Sequence, residues 1–221
     1  MEPNNTAKMS RILSLLRKQT NGAVTGSMEE RGVVWPLNYG VSVPAIREVA
    51  AEYAPDHSLA RLLYRQQVRE LRLAGIMVAD PSAVNVAELP FWAAGVVNTE
   101  VAEHLSFMFA QSGIIPDLLG EWLDADNEWL RYAAVLSATR RMVAQGAADS
   151  TAAECVLGAA DSLLAADCRP LWRSFASFLN TLYRFSPAHR RQVEGIVDSL
   201  NGSVSEAAAY VSGEVYLEPK E

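Results

Sequence analysis

Apolar residues return every three or four positions along nearly the whole of this chain, and alternating β-branched runs of strand length are almost missing. That period matches the 3.6-residue turn of an α-helix, where every third or fourth side chain shares a face. The chain is therefore read as all α. Helices are expected over residues 6–20, 43–54, 57–66, 68–79, 85–94, 97–112, 114–124, 127–144, 150–165, 169–184 and 188–200. Caps and breakers separate many of them: Asn21-Gly22, Gly40, Pro44, Pro55-Asp56, Asp80-Pro81, Pro90, Ser112-Gly113, Pro116, Pro170 and Ser186-Pro187. The spacing suits short antiparallel helices, and by itself fits a compact bundle as well as a stack of helix pairs. Residues 21–42, with four glycines, Trp35 and Pro36, read as the longest non-helical connection, an ordered loop anchored by its aromatic ring. Residues 201–221 are expected to form an extension, helical near Val204 to Val211 and then a frayed tail that includes Gly213, Pro219 and Lys220.

With 221 residues, half of them hydrophobic and a fifth charged, the chain has material for one core, and a single domain over residues 1–200 is expected. Apolar runs such as Ala133-Ala134-Val135-Leu136 fall far short of a bilayer span. The first residues mix Lys8, Arg11, Arg17 and Lys18 with Ile12, Leu13, Leu15 and Leu16, an amphipathic pattern unlike a signal peptide, which points to the cytoplasm. Cys155 and Cys168 lack metal-ligand spacing and read as buried free thiols. The net charge of −7 is polarised: residues 1–72 carry ten Lys or Arg against seven acids, residues 131–199 eight against six, and residues 73–130 nine acids with no Lys or Arg. Affinity for nucleic acid comes mainly from cations that displace phosphate counterions, so the middle segment is a poor surface for it.

Three runs carry a family resemblance. Leu37-Asn38-Tyr39-Gly40-Val41-Ser42-Val43-Pro44 opens an amphipathic helix with Gly-Val-x-x-Pro; Val68 to Met77 and Asn127-Glu128-Trp129-Leu130-Arg131-Tyr132-Ala133-Ala134 follow in order. Over roughly residues 6–200 the chain resembles the AlkD-type DNA glycosylases, which implies a HEAT-like solenoid of antiparallel helix pairs with one concave face for a ligand. Members of that family excise positively charged alkylated bases with a carboxylate near the sugar, flanked by tryptophans and an arginine in a DNA-facing cleft. On this chain the resemblance puts Glu103 at the carboxylate, Thr99 at the first tryptophan, Tyr132 at the arginine and Phe178 at the second tryptophan. The carboxylate survives in kind, one methylene longer, while the other three roles change.

Spacing on the helix puts Thr99 and Glu103 on one face, and turns Arg131, itself a candidate binding residue, about 100° away from Tyr132. Trp129 is a candidate stacking residue, although Trp122 and Trp129 at helical spacing among leucines also suit core packing. Arg61, Arg65, Arg69 and Arg72 make a phosphate-binding stripe only if no turn intervenes at Gln66-Gln67. Arg169, Arg173, Arg184, Arg190 and Arg191 form the better basic group, and Arg169, Arg173, Arg190 and Arg191 are the candidate DNA contacts. Glu100 and His104 lie one turn apart like a pair of metal ligands, without a second pair; no cofactor is implied. His57, His104 and His189 have no catalytic partner by spacing. The expected function is a non-catalytic or weakly active binding module for damaged or distorted double-stranded DNA or for a protein partner. Two alternatives stand beside it: an active glycosylase using Glu103, and a protein-interaction scaffold without nucleic acid.

Overall fold

The structure, a computed structural model, describes residues 3–217; the last residues, with Pro219 and Lys220, lie outside the described residues. Among the described residues fourteen α-helices follow one another, and the sole β contact is an isolated bridge between Leu37 and Val68. The chain forms two compact units, Met1–Val84 and Asn85–Glu221, whose boundary falls inside the span read from sequence as one domain.

In the first unit, α1 (Pro3–Arg17), α2 (Gly22–Glu30), α3 (Val43–Ala51), α4 (His57–Tyr64) and α5 (Arg69–Val78) follow in order. Helix α2 corrects the expectation of a loop. Asn21 caps it by accepting from the Val24 amide, but it buries no residue and so carries no apolar stripe to read. Trp35, further along the same segment, is buried as an anchor. The Gly-Val-x-x-Pro run has a physical cause. Gly40 takes a φ of +68° where a Cβ would strike the Asn21 carbonyl. Ser42 caps α3, and Pro44 stands in its first turn, where a missing N–H costs nothing. Underneath, the buried Glu70 carboxylate accepts from the Tyr39 and Val41 amides at 3.1 and 3.2 Å, while Arg69 donates to the Val41 carbonyl at 2.8 Å.

A turn at residues 65–68 separates α4 from α5, so the four arginines form no stripe. Arg69 is buried in its pair with Glu70, and Arg72 packs over the rings of Trp35 and Tyr64 while donating to the Gln66 carbonyl. Helices α4 and α5 meet at Gly75, where a Cβ would lie 2.7 Å from the Tyr64 amide nitrogen and 2.8 Å from the Ala60 carbonyl.

The second unit comprises α6 (Leu89–Ala93), α7 (Thr99–Ala110), α8 (Ile115–Trp122), α9 (Glu128–Gln145), α10 (Ser150–Gly158), α11 (Ala160–Ala165), α12 (Arg169–Phe185), α13 (Arg190–Leu200) and α14 (Glu206–Glu214). Helix α9 packs between α7 and α12. Trp122 is core, edge-on to Phe109 with ring centroids 5.1 Å apart. The helix expected over 150–165 is broken at Ala159. Cys168 is buried and Cys155 only partly so; both are free. The extension is an integral part of this unit: α14 buries Ala207, Ala208 and Val211 and packs on α12 and α13. No helix among the described residues is long and apolar enough to cross a membrane.

Candidate functional site

An open cleft of about 580 Å³ lies in the second unit. Thr99 and Glu103 line it from α7, Tyr132 from α9, Arg169, Pro170 and Arg173 from α12, and Tyr210 and Glu214 from α14. Asn98 starts α7 by accepting from the Val101 amide, which sets Thr99 and Glu103 one turn apart on the cleft side. Asn127 does the same for α9 through the Trp129 amide.

At the centre, the Tyr132 hydroxyl donates to Glu103 Oε1 at 2.9 Å. The Tyr132 ring is buried, with Trp129 edge-on at 6.4 Å between centroids. Burial and the adjacent Glu103 carboxylate raise the phenol's pKa well above its usual value, with Arg140 and Arg173 pulling the other way. Two turns along α9 from Tyr132, Arg140 donates to the Glu103 carbonyl and to the Ser106 hydroxyl and lies over the Phe107 ring. Burial lowers its pKa, opposed by Glu103 and Tyr132. The Arg169 guanidinium lies over the Tyr210 ring, 5.2 Å from its centroid, and Tyr210 in turn leans on Trp172. Arg173 is exposed on the cleft side of α12.

The structure thus brings together Thr99, Glu103, Tyr132, Arg169 and Arg173. Phe178 is a correction. It is 1% exposed and faces away from the cleft, toward Ile115, Ala138 and Met142. Five residues beyond Arg173, it is turned about 140° around α12, whereas Ser177, one turn beyond, stays exposed on the cleft side. Trp129 packs beside Tyr132 without lining the cleft, and Arg131 donates to the Ser162 carbonyl at 3.3 Å. Arg190 lies over the Tyr183 ring and donates to its carbonyl, and Arg191 is exposed on α13; neither lines the cleft.

Tyr210, Glu214 and Arg140 escaped sequence reasoning. Arg140 was findable, since eight residues from Tyr132 turns a side chain about 80° around the helix, still within one broad face. The α14 pair was not, because nothing in the period of residues 206–214 says which helix they cover. Elsewhere, Ser186 Oγ stands 2.6 Å from His189 Nδ1, with Glu154 3.5 Å from Nε2. Ser186 is buried and immediately precedes a 3-10 turn that contains His189, so this contact ties the turn back to the residue that opens it.

A family model described as "DNA alkylation repair enzyme" matches residues 12–191. A solved structure described as "A new family of proteins related to the HEAT-like repeat DNA glycosylases with affinity for branched DNA structures" is similar, with a TM-score of 0.74, 15% identity and 93% of each chain covered. The fold is accordingly a HEAT-like helical repeat. No curated protein matches the chain.

Proposed function

The chain belongs to the DNA alkylation repair enzyme family, and we propose that within it this protein holds distorted or branched DNA in the cleft of its second unit without efficient base excision. One observation carries the reading: two guanidiniums, Arg169 and Arg173, share the cleft with a carboxylate, Glu103, that already accepts from a phenol. Arginines suit phosphates because they displace counterions and offer a fixed fork of donors. Excision asks for more. A carboxylate must face the charge developing on the sugar, and rigid walls must hold the nucleotide there. Thr99 offers no stacking face, and Tyr132 offers no cation. The relative's affinity for branched DNA supports the choice of substrate class.

A second reading, excision by Glu103, is favoured by the exposure of that side chain in the cleft. One incubation separates the two: the protein with branched, linear and alkylated duplexes, scored for retained DNA and for liberated base. We expect retention favouring the branched duplex, with the slope of log affinity against log salt reduced by about 0.9 for each of Arg169→Ala and Arg173→Ala. Base release is expected at the spontaneous rate. Rapid release abolished by Glu103→Gln would establish the glycosylase instead, and no retention of any DNA would leave the scaffold role.

A further inference from the structure

The cleft does not end at Glu214. A second depression of about 230 Å³ shares Arg173 and Glu214 with it and continues along α12 past Ser177, Asn180 and Thr181 to Tyr216. From Arg169 to Thr181 the helix rises roughly 18 Å, so the two form one groove between α12 and the end of α14. Its contents are ordered. Arg169 is held in place by the Tyr210 ring, Arg173 stands one turn further on, and Tyr216, 79% exposed, presents an aromatic ring at the far end. Asn180 fixes that end from both sides, donating to the Glu214 carbonyl and accepting from the Tyr216 amide, each at 2.8 Å.

We propose that this groove takes a short unpaired strand of DNA, the single-stranded arm of a branched substrate, with Arg169 and Arg173 on its phosphates and Tyr216 stacked on a base. Cations along a groove with an exposed ring beside them are what strands without sequence preference need. A paired base inside a duplex has both faces covered and cannot use Tyr216. The Glu214 carboxylate opposes the phosphates, so its charge limits the affinity. The inference rests on the DNA-binding reading above, but the two fail separately.

The test compares a labelled duplex carrying a single-stranded flap with a blunt duplex of the same sequence, using the full chain. The flapped duplex is expected to bind at least fivefold more tightly, in line with stacking of a single base. Tyr216→Ala, which removes an exposed side chain, should abolish that advantage and leave blunt-duplex affinity unchanged. Glu214→Gln should enlarge the advantage severalfold, an effect that a merely structural role for α14 would not produce. An advantage untouched by Tyr216→Ala would overturn this inference and leave the DNA reading intact; equal affinity for the two duplexes would overturn it together with the preference for branched DNA. Failure to bind either duplex would remove both.

Discussion

Tyr132 reaches from α9 to α7 to donate a hydrogen bond to Glu103, so the carboxylate that the family resemblance singles out is tied to a neutral phenol where that resemblance expects a guanidinium. Arg173, from α12, restores a positive charge near the pair without occupying the same position. Replacing Tyr132 by Phe should cost about 1 kcal/mol of stability, the net worth of one hydrogen bond. Base release should stay at the spontaneous rate in this variant and in Glu103→Gln. Chemical denaturation and a base-release assay check the two halves independently.

Phe178 gives a test of the corrected site. As a fully buried ring it should lose about 3–5 kcal/mol on truncation to Ala. Under conditions where the variant remains folded, its affinity for branched DNA should match the parent. A folded Phe178→Ala protein with selectively weakened binding would return this ring to the DNA surface.

Gly75 is required by the closeness of α4 and α5. A methyl at this position meets backbone atoms of Tyr64 and Ala60 that cannot turn aside. Gly75→Ala should therefore cost about 1–3 kcal/mol despite the better helix propensity of alanine, which urea denaturation would register.

The Tyr64 phenol is buried, and burial raises its pKa from the ordinary 10.0, with Arg72 opposing. The unfolded chain then releases this proton at lower pH than the folded one. Stability from this group is complete below pH 10 and declines as pH rises from there toward the folded value. Tyr64→Phe should flatten the decline, measured as the denaturation midpoint through the alkaline range.

Most of the helices were legible because an apolar stripe leaves a period in the sequence. Ile46, Val49 and Ala50 mark α3, and Leu171, Phe175, Phe178, Leu179 and Leu182 mark α12. Where burial was absent, so was the signal, as in α2. The site was legible to the extent that residues sharing a helix face could be paired by spacing, as Thr99 and Glu103 were. Phe178 was misplaced because a shift of one residue turns a side chain by about 100° around a helix, enough to move it from cleft to core. Tyr210 and Glu214 were out of reach, since docking of α14 on α12 is settled by tertiary packing rather than by any local pattern.

The two-sided grip of Asn180 on the end of α14 bears on where this protein can be cut. A chain ending at Leu200, the boundary that the helical period recommends, keeps Glu103, Tyr132, Arg169 and Arg173. It would nevertheless uncover the surface of α12 on which Ala207, Ala208 and Val211 pack, and release Arg169 from the ring that holds it. Such a fragment would carry every residue that the family resemblance marks and still present a different ligand surface, stickier toward apolar partners and less selective among DNA forms.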